Sequence, residues 1–152
     1  MSLASTASPP DRSEHRLLVV EAAGTLYGFD GEALREVVPL SPATRLPGAP
    51  PFVRGIMNVR GAMLTVVDFT QRVTDGKTRL AEDNASVVVV QGAGRLLGLA
   101  VDDVLDVQIL SANEIEPAPP ARSGALARGL GHFGERVVII VDVNELVRQV
   151  LA

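Results

Sequence analysis

Phe52-Val53-Arg54-Gly55-Ile56-Met57-Asn58-Val59-Arg60-Gly61-Ala62-Met63-Leu64-Thr65-Val66-Val67-Asp68 reads as a hairpin. Two apolar runs, Gly55 to Val59 and Ala62 to Val67, flank a turn at Arg60-Gly61. Asp68 is placed to cap a short helix over Phe69 to Val73. The arrangement returns 74 residues later as Gly129-Leu130, then Val137 to Val141 ending at Asp142. A final helix follows over Val143 to Leu151, with Leu146, Val147 and Val150 as its apolar stripe. The repetition also extends upstream. Tyr27-Gly28-Phe29 matches Leu97-Gly98-Leu99, Glu36 to Ser41 matches Asp106 to Ser111, and Ala49-Pro50-Pro51 matches Ala118-Pro119-Pro120. The offset is 70 residues at Gly28/Gly98, and an insertion near Arg122-Ser123-Gly124-Ala125 accounts for the drift to 74. Two copies are too few for a solenoid, so a duplicated domain is the reading.

Further strands are expected over Arg16 to Ala22, Leu26 to Phe29, Leu34 to Leu40, Ser86 to Val90, Arg95 to Val101 and Val104 to Leu110. Four prolines between Ser41 and Pro51 impose an extended connector, and the polar stretch from Thr74 to Asn84 is a linker between the copies. Each copy thus offers about five short strands and a helical turn, the content of one small SH3-sized barrel. Such a barrel alone is marginal. Two packed together share an aliphatic seam, in which each buried Val or Leu contributes about 1.5–3 kcal/mol. The fold class is mostly β: two pseudo-repeated five-stranded SH3-like β-barrels around a shared hydrophobic core, with short helices and a C-terminal helix. With 47% hydrophobic but only 3% aromatic residues, the core is expected to hold almost no large rings.

Composition removes several function classes. A net charge of −4 argues against nucleic acid, which needs many Lys/Arg–phosphate contacts. No cysteine is present, so there is no disulfide, thiol nucleophile or thiolate metal site. Residues 1–14 carry Ser, Thr and Pro-Pro without an apolar segment and read as a flexible tail, and no run is long enough to cross a bilayer. A cytoplasmic protein without direct membrane insertion is expected. Gly92-Ala93-Gly94 before Gly98 has the wrong spacing for a dinucleotide loop and is read as a hairpin turn. His15, at the edge of the tail, and His132 lie far apart with no metal-ligand spacing, and no serine sits in a nucleophile elbow. Asp102-Asp103 is read as a charged turn ahead of paired catalytic carboxylates. No catalytic residue, metal or cofactor is assigned.

What remains is a polar group set among apolar positions: Glu36, Arg54, Asn58, Arg60 and Gly61. The second copy has Gly134 where the first has Arg60, and fold maintenance alone does not explain an arginine kept on one side only. Arg60 pairing with Glu36 can brace two strands, or it can orient a guanidinium beside an apolar patch that another protein covers; both roles stand. Exposed pairs contribute only about 0–1 kcal/mol, so stability alone is a weak reason for one.

The order Glu36-Val37, Leu46-Pro47, the block from Phe52 to Gly61 and Leu64-Thr65-Val66-Val67-Asp68, supported by Val101 to Val104 and Val141-Asp142, resembles the CheW family of chemotaxis coupling proteins. The similarity runs from Arg16 to Leu151. It implies a single CheW-like domain over 15–152, with intertwined lobes at about 15–75 and 85–152. It also implies a non-enzymatic adaptor joining a methyl-accepting chemoreceptor's cytoplasmic tip to the regulatory domain of a CheA-type histidine kinase, in arrays near the inner membrane. By motif position the resemblance puts Arg60 and Glu36 at or beside a receptor groove, with Asn58 and Gly61 as neighbours and Arg54 in the same partner-binding block. Thr65 and Phe69 depart from the proline and leucine usual in the family, and are expected to alter the details of one interface more than the fold. The competing class, a small-molecule sensor or enzyme on the same scaffold, requires a polar pocket of convergent titratable groups.

Overall fold

Ten strands and two short α-helices make up the computed structural model, which describes residues 14–117 and 126–151. The strands are β1 (Glu14–Ala22), β2 (Thr25–Asp30), β3 (Leu34–Pro39), β4 (Val53–Val59), β5 (Ala62–Asp68), β6 (Ser86–Gly92), β7 (Arg95–Val101), β8 (Asp103–Ser111), β9 (Ala127–Phe133) and β10 (Arg136–Val141). Helix α1 covers Phe69–Val73 and α2 covers Val143–Leu151, with a 3-10 turn at Ala112–Glu114. The insertion near Arg122 to Ala125, the matching Ala118-Pro119-Pro120 and most of the expected tail lie outside the described residues. Glu14 and His15, read as tail end and edge, belong to β1: they pair with Ser111 and Leu110 of β8.

The strands form two five-stranded sheets, ordered β8-β1-β2-β10-β9 and β3-β6-β7-β5-β4. Exchanging each strand for its counterpart in the other copy turns the first order into the second, so the duplication is a twofold of the architecture. The sequence repeat is nevertheless not the sheet. Each sheet takes two strands from the start of one copy and three from the end of the other. The two copies meet twice inside each sheet: β2–β10 and β5–β7 are parallel, while β1–β8 and β3–β6 are antiparallel like the pairings within a copy. Matching backbone bonds carry the symmetry into the loops. The Asp68 amide donates to Phe52 O and the Asp142 amide to Leu126 O, both at 2.6 Å.

Strands buried on both faces read as continuous apolar runs, and β1 and β6 show why. Leu18, Val20 and Ala22 face a core common to both sheets, as do Val88 and Val90. Their alternate neighbours face private cores: Leu17 and Val19 on the first sheet, Val87 and Val89 on the second. The common core also collects Phe29, Phe69, Val141, Leu146 and Val147. The expectation of a core nearly free of rings is thereby corrected. Phe69 lies edge-on to Tyr27 at 5.0 Å and to Phe29 at 5.4 Å, so the few rings concentrate at the centre of the seam. Phe69 therefore belongs to the core and not to a partner interface. Thr65 is partly buried on β5.

The helices and connectors follow from local chemistry. Asp68 Oδ1 accepts from the Gln71 amide at 2.8 Å and caps α1; Asp142 Oδ1 accepts from the Glu145 amide at 3.0 Å at the start of α2. The proline-rich connector is tied to β4 by reciprocal Thr44–Ile56 bonds of 2.8 Å each. Gly55 lets the two backbones meet: its φ is +134°, and an added Cβ would sit 2.0 Å from Thr44 O. The linker carries a plug as well: Leu80 is buried in the private core of the second sheet, and its amide donates to Asp68 Oδ2 at 3.0 Å.

Candidate functional site

The β4–β5 turn presents the site. A two-residue hairpin of type I′, whose twist suits its strands, needs positive φ at both central positions. Arg60 has φ +53° and Gly61 φ +85°. Gly61 adopts this conformation without penalty, whereas Arg60 is a side chain held in the left-handed region. The Gly61 amide donates to Asn58 Oδ1 at 2.9 Å, so Asn58 stiffens the turn from inside the motif. Arg60 Nε donates to Glu36 Oε1 at 2.7 Å, linking the hairpin tip to β3. The guanidinium remains 78% exposed and Glu36 31% exposed. This bond and the glutamate's charge raise the Arg60 pKa above its already high ordinary value, so the cation persists at any biological pH.

Exposed apolar residues stand on the same strand and hairpin as the pair. Val37 follows Glu36 and is exposed, and Met63, opposite Asn58 in the β4–β5 register, is 64% exposed. The second copy repeats the apolar part only. Val107 and Val137 are exposed at the counterparts of Val37 and Met63. Asp106 stands for Glu36, but its carboxylate accepts from the Val107 amide at 2.7 Å, and Gly134 at φ +62° stands for Arg60. The second hairpin's arginine, Arg136, is paired instead with Glu21 and the Gly24 carbonyl, so a cation at the turn apex itself distinguishes the two surfaces.

Four of the five residues singled out by sequence, Glu36, Asn58, Arg60 and Gly61, come together at this tip. Arg54 lies apart, at the opposite end of β4 and about 20 Å along the strand. Its Nη2 reaches Glu82 Oε2 at 3.3 Å across to the linker. Its Nε is buried without a partner among the described residues.

Asp102 is a residue whose role sequence reasoning missed. It accepts from the Thr70 hydroxyl at 2.8 Å and from the Ala81 and Ala23 amides at 3.0 Å each. One carboxylate therefore holds α1, the linker and the β1–β2 turn together where the chain passes between sheets. No local pattern announces such a brace, because its donors lie 32, 21 and 79 residues away in sequence. Asp103 begins β8 and pairs with Glu21 in register. Among the described residues no group of three or more His, Asp or Glu is arranged to hold a metal ion, and no helix is long and apolar enough to cross a membrane.

A twinned β scaffold with an exposed, hydrogen-bonded arginine on one hairpin tip defines a class of β-rich scaffolding domains. A family model described as a CheW-like domain matches residues 16–151, and the chain belongs to that family. It is 35% identical over 124 residues to the chemotaxis protein CheW of Klebsiella aerogenes, covering 79% of this chain and 74% of that protein. It is 34% identical over 119 residues to the chemotaxis protein CheW of Rhizobium meliloti, covering 75% of each. The crystal structure of the scaffolding protein TtCheW from Thermoanaerobacter tengcongensis superimposes with a TM-score of 0.76 at 32% identity, over 84% of this chain and 88% of that one.

Proposed function

We propose that this chain is a non-enzymatic adaptor of chemotaxis or motility signalling, coupling the cytoplasmic tip of a methyl-accepting chemoreceptor to the regulatory domain of a CheA-type histidine kinase. Its place is the cytoplasm, at receptor arrays beside the inner membrane. Family membership supports the reading, and the observation that carries it is the Arg60 tip. Ala23 and Ala93 hold nearly the same φ in their X-Gly turns and Gly134 serves the second hairpin, so the turn does not require an arginine, yet the first copy presents one there, exposed and oriented by Glu36. On the same hairpin, exposed Met63 offers apolar contact of the kind a helical receptor hairpin fills, and Val37 on β3 adds a further exposed apolar residue. The cation fixes register while the apolar positions supply area, and Arg is enriched where such contacts carry binding. The chain acts by geometry: one surface holds the kinase and another the receptor. Contacts that are modest one by one gain strength when many adaptors sit in one lattice.

The test is affinity for a receptor-tip hairpin and for a kinase regulatory domain. Arg60→Glu should weaken receptor binding about tenfold or more, with an unchanged melting temperature. Arg60→Gly, which copies the second hairpin, should lose binding in the same direction without straining the turn. If both variants bind as tightly as the parent, or if both unfold, the assignment fails.

A further inference from the structure

The described residues contain two methionines in contrasting settings. Met57 is 2% exposed inside the second sheet's private core, whereas Met63 stands 64% exposed on the Arg60 hairpin. The chain has no cysteine, so no thiol competes for oxidants within it. The duplication supplies the comparison: the counterpart of Met63 is Val137, 49% exposed and chemically inert. An exposed apolar residue is therefore kept at this hairpin position in both copies, while an oxidisable sulfur stands there only in the copy whose turn apex is Arg60.

We propose that Met63 is a reversible oxidation site through which peroxide weakens the partner contact made at the Arg60 tip; this rests on the functional reading above. In the reaction the sulfur lone pair attacks one peroxide oxygen and the O–O bond breaks. A sulfur–oxygen bond forms, the sulfur gives up two electrons, and the peroxide is reduced to water. The sulfoxide exchanges a flexible apolar side chain for one with a strong acceptor oxygen, three residues from Arg60. A partner that covers Met63 with apolar groups would then bury that oxygen unpaired. Methionine sulfoxide reductases, drawing two electrons from a pair of thiols, return the thioether and release the oxygen as water.

The experiment has two stages on the full chain. Hydrogen peroxide is added and oxygen uptake is mapped by peptide mass spectrometry, where Met63 should react about tenfold faster than Met57. Binding of the receptor-tip hairpin is then measured before oxidation, after it, and after reductase treatment. The expected outcome is a loss of about fivefold or more on oxidation and recovery on reduction. The affinity of Met63→Leu, whatever its starting value, should not move with peroxide. Equal reactivity of the two methionines, unchanged binding by the Met63 sulfoxide, or a peroxide response that persists in Met63→Leu would each overturn the proposal. Arg60→Glu, run alongside, separates the two readings. If that variant binds normally, the site assignment falls and the switch with it. If it binds weakly while the sulfoxide binds tightly, only the switch falls.

Discussion

Gly55 and Gly129 occupy matching places in the two copies but are not equally replaceable. A Cβ at Gly55 would lie 2.0 Å from Thr44 O and 2.6 Å from Thr44 C, both backbone atoms, at φ +134°. Relieving that overlap requires the connector to retreat by about 1.3 Å to an ordinary C···O separation. The two 2.8 Å Thr44–Ile56 bonds do not survive such a displacement. Losing them costs about 0.5–1.5 kcal/mol each, and a side chain at that φ adds about 1–3 kcal/mol. Gly55→Ala should therefore destabilise by about 2–6 kcal/mol in all, and lower the melting temperature by roughly 10 °C in a domain of this size. At Gly129 the close atom is a side-chain methyl, Ile115 Cγ2 at 2.9 Å, with Glu116 O at 3.2 Å. Ile115 is only partly buried and can turn away. Gly129→Ala should cost less than about 1.5 kcal/mol, the lower end of overpacking penalties. Urea denaturation with matched m-values measures both. Equal losses, or a Gly55→Ala midpoint indistinguishable from the parent, would refute the close-approach account.

Two more substitutions test the interior. Phe69→Leu, which installs the residue usual in the family, should lower stability by about 1–2 kcal/mol in urea, because the edge contacts with Tyr27 and Phe29 disappear and the ring's volume is not refilled; a variant as stable as the parent contradicts this. Asp102→Ala strands three donors and should cost about 2–4 kcal/mol, whereas Asp102→Asn, whose Oδ1 still accepts from Thr70 and Ala81, should cost about half as much. Equal effects of Ala and Asn would mean that the Oδ1 bonds to Thr70 and Ala81 contribute nothing.

Short-range chemistry was the legible part. β-Branched runs such as Val87 to Val90 marked doubly buried strands, Arg60-Gly61 marked a turn, and Asp68 and Asp142 marked helix starts, because each signal is complete within a few residues. The Glu36–Arg60 bond was also anticipated, since the repeat exposed the odd arginine. Pairing across the copies is not legible in the residues themselves, and only the family resemblance implies intertwined lobes: a duplicated pattern fits two separate sheets as well as two exchanged ones, and the choice rests on contacts such as Ile140 beside Gly28. Phe69, Leu80 and Asp102 were misjudged for a related reason. Their partners arrive from distant segments, so a polar linker concealed a plug and a charged turn concealed a brace.

The interleaving of strands also governs the order in which the molecule can be finished during synthesis. When the first 85 residues have left the ribosome, neither sheet has its full complement. The second closes only after Val101 emerges, and the first only after Val141. The nascent amino-terminal strand β1 must wait for a neighbour roughly 90 positions downstream, its apolar faces meanwhile uncovered. Neither half released by a cut between the copies holds all the strands of a sheet, so both lobes stand or melt as one cooperative unit.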